Sequence, residues 1–225
     1  AKKRLIQMGE LDDHIFTIGS PDIDIMMSKN LPSKEELRNY YTIPFEKYAI
    51  LIFHPVTTEL ESLEKQTNSL ITAAINSKKN YVIIYPNNDP GSKIILKAYD
   101  HLKNNNRFKI YPSLRFEYFL TLLKHADFII GNSSAGITEA EIYGIPTIDV
   151  GSRQKNRTTN KNIKNVGSNE EEILNAIEQI EGKKVNSLFD FGDGQSSKRF
   201  FDIISKTKIW DINLQKYFIE MDKKN

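Results

Sequence analysis

The stretch Asp127–Val150, DFIIGNSSAGITEAEIYGIPTIDV, predicts the fold of this chain most directly. It begins with the apolar run DFII, passes through the small polar segment GNSSAG and a helical pattern, and ends with the apolar run PTIDV. Apolar runs in which polar and apolar residues do not alternate are typical of strands that are buried on both faces. The stretch is therefore predicted to form a strand, a loop, a helix and a second strand of a parallel sheet.

Similar apolar runs precede this unit. Tyr48–Phe53 (YAILIF) and Tyr81–Tyr85 (YVIIY) are clear strand candidates, and Arg107–Tyr111 (RFKIY) is a weaker one. Between the runs, apolar residues recur at helical spacing, for example over Leu60–Ala74. Strands that alternate with helices in this way predict an α/β fold with a doubly wound, Rossmann-like parallel sheet.

The two ends of the chain have less regular patterns. Near the amino end, Ile15–Ile18 predicts a short strand and Lys34–Tyr41 predicts a helix. Acidic residues after Asn169 mark the start of a further helix. Two closing helices are predicted over Ser196–Lys206 and Asn213–Lys223.

The composition of the chain argues against several classes of function. Its 225 residues include 31 Lys+Arg and 29 Asp+Glu, and the net charge of +2 argues against nucleic acid or an anionic membrane as a partner. Cysteine is absent, which excludes a disulfide framework, and no apolar run approaches the roughly 20 residues of a membrane span. The spacing of histidines and carboxylates indicates no metal site, so neither a metal nor another cofactor is predicted. A cytoplasmic location is expected.

Small or polar residues follow four of the predicted strands. They form the segments His54–Glu59, Pro86–Ser92, Gly131–Gly136 and Gly151–Gln154. The carboxyl ends of parallel strands meet at one edge of the sheet, and open α/β folds bind their ligands at that edge. We therefore expect the four segments to form one binding site at this edge, which is called the rim below.

Gly131–Gly136 gives the most specific prediction about the ligand. Its small residues allow the backbone to approach a ligand closely, and Ser133 or Ser134 is expected to cap the helix that follows. Free N–H groups and the helix dipole at such a position favour an anion, for example a diphosphate. A serine cap without any ligand is the alternative interpretation. The segment contains neither GxGxxG nor a P-loop lysine.

Three charged or titratable residues extend this hypothesis. Glu139, about one and a half turns into the predicted helix, could reach the hydroxyls of a ribose whose phosphates lie at the helix start. Arg153 follows a strand end and could bind phosphate or stack on a base. His54 ends a strand at the rim of the sheet, where it would titrate near neutral pH. Each residue also has a structural alternative. Glu139 would be a solvated helix acid, Arg153 a surface arginine and His54 a hydrogen-bonded structural histidine.

Taken together, these segments resemble the C-terminal half of the hydrolysing UDP-N-acetylglucosamine 2-epimerases of sialic-acid biosynthesis. Members of that family have a two-domain, glycosyltransferase-B-like fold. The resemblance extends from about residue 1 to 206, and HPVTTE is more typical of hydrolysing members. Five stretches carry it: IFTIGSPDID (Ile15–Asp24), FHPVTTE (Phe53–Glu59), YPNNDPGS (Tyr85–Ser92), GNSSAGITEAEIYGIPTIDVGSRQKNR (Gly131–Arg157) and FGDGQSSKRF (Phe191–Phe200).

The resemblance implies roles for particular residues. Ser133 and Ser134 would hold the phosphates of UDP, Glu139 would hold its ribose, and Arg153 would contact the nucleotide. His54 matches a histidine that family members place at the diphosphate, where it is implicated in catalysis. Three further polar residues would line the same cleft: Asn87, Asp89 and Ser92.

The resemblance also implies a reaction on a UDP-sugar. The proton on C2 of the sugar is removed, UDP leaves from C1, and water adds to the glycal to give N-acetylmannosamine and free UDP. Family members carry the acid and base carboxylates in an N-terminal domain that this sequence does not contain. We therefore expect a C-terminal fragment that binds UDP weakly and has no epimerase activity. Its parent would be a bacterial, cytoplasmic, homo-oligomeric enzyme of surface-glycan biosynthesis.

The same resemblance predicts the domain organisation. Residues 1–22 would be the tail of the N-terminal domain and a linker, and residues 23–195 the nucleotide-binding domain. Residues 196–225 would be closing helices that pack toward the N-terminal domain.

Three alternative functions stay open. The first is a hydrolysing 2-epimerase for another UDP- or GDP-linked amino sugar. The second is a glycosyltransferase of the same fold; such enzymes often carry a second acid eight residues after the one that binds ribose, and here that position is Thr147. The third is a nucleotide-binding module without catalytic activity.

Overall fold

The computed structural model describes residues 1–157, 160, 162–180, 182–183, 185–189, 191–206 and 209–216. The chain forms two compact units. The larger unit is Lys29–Phe189, and it contains every strand in the described part of the chain. The smaller unit combines Ala1–Ser28 with Asp190–Asn225.

The larger unit is built on a six-stranded sheet in which all neighbouring strands are parallel. In chain order the strands are β1 (Ala49–Ile52), β2 (Tyr81–Ile84), β3 (Phe108–Tyr111), β4 (Ile129–Gly131), β5 (Thr147–Val150) and β6 (Ile163–Val166). They lie in the order β3-β2-β1-β4-β5-β6, which is that of doubly wound dinucleotide-binding sheets. The predicted fold class is confirmed.

The sequence patterns predict five of these strands and miss the edge strand β6. Its sequence IKNV buries Ile163 and Val166 but exposes the two residues between them. It therefore lacks the continuous apolar run of a strand that is covered on both faces. All four residues of the central strand β1, in contrast, are buried.

Helices cover both faces of the sheet. Leu51, Ile83 and Ile148 pack in one core cluster with α4 (Leu60–Asn76), α5 (Ser92–Asp100) and α8 (Glu170–Ile180). Ile50 and Ile129 pack in a second cluster with α3 (Lys34–Tyr41), α6 (Phe116–Lys124) and α7 (Glu139–Tyr143). The predicted helix over Lys34–Tyr41 is confirmed and begins with a capping box at Ser33. The other described α-helices are α1 (Lys2–Gln7), α2 (Pro21–Met26) and α9 (Ser196–Ile204).

The direction of winding reverses between β1 and β4, which lie side by side. Such a switch point leaves a crevice beyond the carboxyl ends of the two strands. Gly131, the last residue of β4, has φ +130°, and a Cβ at this position would lie 1.9 Å from the carbonyl oxygen of Ile52. Only glycine can therefore bring the end of β4 this close to β1.

The smaller unit contains α1, α2 and α9. The Asp24 carboxylate accepts hydrogen bonds from the N–H groups of Ser196 and Ser197 and so caps the first turn of α9. These hydrogen bonds, and that from the Ser197 hydroxyl, hold the pKa of Asp24 well below its usual range.

Two sequence predictions for this unit differ from the structure. The predicted strand over Ile15–Ile18 is wrong, because in the described chain this segment has no neighbouring strand and stays without regular structure. In the last predicted helix, Asn213–Lys223, residues 213–216 are not helical and the remainder lies outside the described residues. Within the described residues, no helix combines the length and the apolar character needed to span a bilayer.

We expect Gly131→Ala to lower the free energy of unfolding by at least about 3 kcal/mol, because the new methyl group would overlap the Ile52 carbonyl. Gly151→Ala is the matched control. Gly151 also has a positive φ, +88°, but a Cβ there meets nothing within 4 Å, so the cost is backbone strain of about 1–2 kcal/mol. Urea denaturation followed by circular dichroism measures both changes. Equal losses in the two variants would contradict the close approach of β4 to β1 as the cause.

Candidate functional site

Asn132, the residue after β4, joins the ends of the two central strands. Its side-chain Oδ1 accepts the backbone N–H of His54 at 2.7 Å, and its Nδ2 donates to the His54 carbonyl at 2.8 Å. The amide thus extends the hydrogen bonding between β1 and β4 by one residue beyond the sheet. Asn132 is 1% exposed, so no solvent competes for these bonds.

The backbone of Asn132 also fixes the loop that follows β5. Its carbonyl oxygen accepts hydrogen bonds from Nη1 of Arg153 at 3.0 Å and from Nε2 of the buried Gln154 at 2.8 Å. The guanidinium of Arg153 is half-buried and uses one of its N–H donors in this contact. A guanidinium has five donors, so others stay available for an anionic ligand.

The ring of His54 is buried, and its hydrogen bonds define its tautomer. Nδ1 accepts the backbone N–H of Asn87 at 3.0 Å, so the proton of the neutral ring lies on Nε2. Burial, assisted by the positive charge of Arg153, lowers the pKa of His54 to about 4, and Asp89 opposes this shift. His54 is therefore a neutral N–H donor at pH 7, and the expectation that it titrates near neutral pH is wrong.

The segment after Asn132 differs from the expected helix start. Ser134–Gly136 forms a 3-10 turn capped by the Ser133 hydroxyl, which accepts the Ala135 N–H, and α7 begins only at Glu139. The physical reason is Thr147, whose hydroxyl donates to the Gly136 carbonyl at 2.7 Å, an oxygen that a continuous helix would use itself. The prediction that Glu139 lies one and a half turns into a helix is therefore wrong.

The turn nevertheless presents hydrogen-bond donors. The backbone N–H groups of Ser133 and Ser134 have no acceptor among the described residues. Ser134 is exposed and Ser133 is half-buried. Two adjacent free N–H groups with serine hydroxyls beside them form a small cradle that suits a phosphate oxygen.

The two acids of α7 occupy different environments. Glu139 is half-buried, and its carboxylate accepts a hydrogen bond from the Thr138 hydroxyl. Glu141, which sequence analysis gives no role, is 4% exposed and accepts a hydrogen bond from Asn160 at 3.0 Å. Glu139 is thus the acid of α7 that a ligand can reach.

The three polar residues of the loop after β2 contribute to the site in different ways. Asn87 takes part through its backbone N–H, which binds His54, and Asp89 is close enough to raise the pKa of His54. Ser92 is buried at the start of α5, where its N–H donates to the Asp89 carbonyl. Its hydroxyl has little access to a ligand.

Glu59 connects two loops of the rim. Its carboxylate accepts hydrogen bonds from the Ser152 hydroxyl in the loop after β5 and from Gln66 of α4 at 3.0 Å. These hydrogen bonds lower the pKa of Glu59, so it is ionised at neutral pH. Glu59 therefore provides a second anchor, besides Asn132, for the loop that carries Arg153.

Asp149 places a carboxyl group inside the sheet near this rim. It lies in β5 and is 3% exposed. Burial raises the pKa of Asp149 to about 6, against the opposing effect of the positive charge of Arg153. The fold thus favours the neutral acid far more than solvent does.

A separate cavity of about 560 Å³ lies beside α3. Within it, Glu46 pairs with both Lys34 and Arg38, so the charges of these three side chains satisfy one another. Glu46 precedes β1, at the amino ends of the strands, so this cavity is not part of the rim. Open α/β sheets bind ligands at the opposite edge.

Sequence reasoning found the loops of the site but missed four residues that organise it: Glu59, Asn132, Asp149 and Gln154. For Asp149 a signal was available, because a carboxylate within an apolar strand is rare unless it has a function or a partner. For the other three no pattern of spacing distinguishes them from ordinary polar loop residues.

Comparison with known proteins agrees with this geometry. A family model described as UDP-N-acetylglucosamine 2-epimerase matches residues 1–205. A UDP-N-acetylglucosamine 2-epimerase of Neisseria meningitidis is 46% identical and is matched over 99% of this chain and 60% of its own length. A hydrolysing UDP-N,N'-diacetylbacillosamine 2-epimerase of Legionella pneumophila is 31% identical over 91% of this chain and 55% of its own. The structure of a UDP-GlcNAc 2-epimerase from Methanocaldococcus jannaschii superposes with a TM-score of 0.69 at 25% identity, covering 91% of this chain and 59% of that one.

Asp149 gives a pH-dependent prediction for stability. Its pKa rises from 3.8 in the unfolded chain to about 6 in the fold, so the free energy of unfolding falls as the pH rises through that range. Above it, the fold bears the full cost of ionising the buried carboxyl group. We expect Asp149→Asn to be more stable than the unaltered chain at pH 7.5, by on the order of 2–3 kcal/mol, and to lose this gain at pH 4.

Thr147→Val is the control for this prediction. It removes the hydrogen bond to Gly136 from the same strand without removing a titratable group, so it should cost about 1–2 kcal/mol at both pH values. Denaturant titrations at the two pH values measure both variants. A gain for Asp149→Asn that is the same at pH 4 and 7.5 would contradict the raised pKa.

Proposed function

The chain belongs to the UDP-N-acetylglucosamine 2-epimerase family, and from that premise we propose that it is the UDP-binding half of a hydrolysing member. The observation that carries the proposal is the convergence of three loop contacts on Asn132 at the switch point of the sheet. They bring together a phosphate-sized cradle, a guanidinium with free donors and a neutral imidazole N–H donor. This combination suits a nucleoside diphosphate.

We assign the ligand contacts along the rim as follows. The diphosphate binds the N–H groups of Ser133 and Ser134, the exposed Ser134 hydroxyl and the guanidinium of Arg153, while the accessible Glu139 accepts hydrogen bonds from the ribose. His54 directs its Nε2–H at a phosphate oxygen, because Nδ1 is already occupied by Asn87. Asn87 and Asp89 act on the ligand through His54.

The proposed reaction removes the C2 proton of the sugar, expels UDP from C1 and adds water to the glycal. Charge develops on the diphosphate as the C1–O bond breaks. Donors that are fixed before the reaction stabilise such charge at no cost of reorganisation. Asn132 fixes both Arg153 and the backbone of His54 in this way.

The hydrolysing subtype rests on the FHPVTTE stretch and on the Legionella relative, whose description is hydrolysing. That relative acts on a diacetylated UDP-sugar, which makes a related amino sugar the second candidate substrate. A glycosyltransferase is disfavoured, since Thr147 is buried and its hydroxyl is bound to Gly136. Thr147 therefore cannot take the place of a second acid in binding a ligand.

Calorimetry with UDP tests the site. Arg153→Ala and Ser134→Ala should each weaken UDP binding by about 1.5–3 kcal/mol, because each loses a hydrogen bond to a charged ligand. Lys164→Ala is the control: it removes one positive charge from the exposed part of β6, on the face opposite to Thr147, and should change the affinity less than about twofold. Unchanged affinity in both site variants would remove the assignment.

The activity of the chain by itself is a separate prediction. We expect it to bind UDP and to release no N-acetylmannosamine from UDP-N-acetylglucosamine. The resemblance places the acid and base carboxylates in another domain, and the chain spans 60% of the length of the Neisseria relative. Product analysis by NMR with UDP- and GDP-linked amino sugars measures this, and turnover of any of them by the chain alone would contradict it. The same panel on the full-length protein identifies the sugar and tells free sugar from an epimerised nucleotide sugar.

A further inference from the structure

Asp149 is 3% exposed, and no hydrogen bond joins its carboxyl group to another residue in the described part of the chain; its oxygens are not among the fully enclosed atoms without a partner, so they keep some access to solvent. A carboxyl group on a residue with so little exposure is rare in proteins unless it is paired or hydrogen-bonded. The rest of β5 follows the usual pattern, since Ile148 and Val150 pack into the core and Thr147 bonds to Gly136. Asp149 is the one residue of the strand whose polar group has no structural use within the described chain.

The position of Asp149 connects it to the phosphate cradle. Side chains alternate along a strand, so Asp149 lies on the same face as Thr147, about 6.6 Å nearer the carboxyl edge. Thr147 lies beneath the end of the 3-10 turn, at Gly136. Asp149 therefore lies toward the segment that leads into the turn, Ser133–Ser134. Its register partner on β4 is Gly131, which has no side chain to separate the carboxyl group from that segment.

The charged surroundings of Asp149 come from one direction. Arg153, in the loop after β5, is the charged residue that acts on Asp149. Among the elements packed against β5, the turn Ser134–Gly136 carries no titratable side chain, β4 contributes Gly131, and β6 contributes the amide of Asn165 as register partner. The acidic helix α8 packs on the other face of the strand, against Ile148 and Val150. At neutral pH the carboxylate thus competes with any anionic ligand for the charge of Arg153.

We propose that Asp149 is a further binding residue for the diphosphate, which it contacts as the neutral acid. When the ligand binds, the carboxylate takes up one proton from solvent, and the new O–H donates a hydrogen bond to a phosphate oxygen. The negative charge of Asp149 then no longer offsets the positive charge of Arg153 at the ligand. Hydrogen bonds of this kind, from O–H to an anionic oxygen, are among the strong ones in proteins. The inference rests on the proposed UDP site.

The test is calorimetry of UDP binding to the 225-residue chain at pH 7.5, in two buffers that differ in ionisation enthalpy. The difference between the buffers gives the number of protons taken up. Asp149→Asn keeps the shape and an N–H donor but cannot take up a proton. On binding UDP it should take up 0.5–1 proton fewer than the unaltered chain, roughly the uptake of one carboxyl group whose pKa rises from below the pH of the experiment to that pH or above it. Asp149→Asn should also bind UDP equally well or several-fold more tightly.

Asp149→Leu has nearly the same shape but no hydrogen-bonding group, and it should bind UDP about tenfold more weakly than Asp149→Asn. A merely structural role would leave proton uptake the same in all three proteins. If either variant does not fold, ¹³C NMR of the Asp149 carboxyl group in the unaltered chain replaces it. The pKa of Asp149 should then rise when UDP is added.

The possible outcomes separate this inference from the proposed function. No binding of UDP by the unaltered chain overturns both. Binding of UDP with the same proton uptake in the unaltered chain and in Asp149→Asn, or an unchanged carboxyl pKa by NMR, overturns the role of Asp149 and leaves the UDP site in place.

Discussion

The close approach of β4 to β1 is the constraint on which the rest of the site depends. Gly131 permits it, since any side chain there would overlap the Ile52 carbonyl. The approach brings the amide of Asn132 into register with the backbone of His54, where it makes two hydrogen bonds below 3 Å. Arg153 and Gln154 then bind the carbonyl of the same asparagine. A backbone contact that only glycine allows thus determines where the polar groups of three loops lie, including the guanidinium of Arg153.

The electrostatics of the site follow from burial more than from pairing. Burial disfavours the charged form of any group, so it lowers the pKa of His54 and raises that of Asp149. Arg153 lowers the pKa of both groups, which strengthens the shift of His54 and weakens that of Asp149. Near neutral pH the buried rim therefore holds a neutral imidazole, and the guanidinium supplies its positive charge. Such a site attracts an anion without requiring a protonated histidine.

The interrupted helix after β4 illustrates how one hydroxyl changes the chemistry of a loop. Thr147 donates to the Gly136 carbonyl and so ends the 3-10 turn before α7 begins. A single continuous helix would place a full dipole behind Ser133 and Ser134. The short turn instead offers individual N–H groups, whose direction matters more than the dipole of the segment. The affinity for a phosphate therefore depends on local geometry and on Arg153.

The sequence by itself determined the fold and the edge at which the site lies. Buried strands such as YAILIF and the small residues that follow them are local properties of the chain, and parallel strands bring their carboxyl ends together whatever the details. The edge strand β6 was not predicted, because half of its residues face solvent. Only the tertiary structure decided the state of His54, the part played by Asn132 and the burial of Asp149. These depend on which groups meet across the sheet, for example Asn132 and His54, which are 78 residues apart along the chain, and no local pattern predicts such contacts.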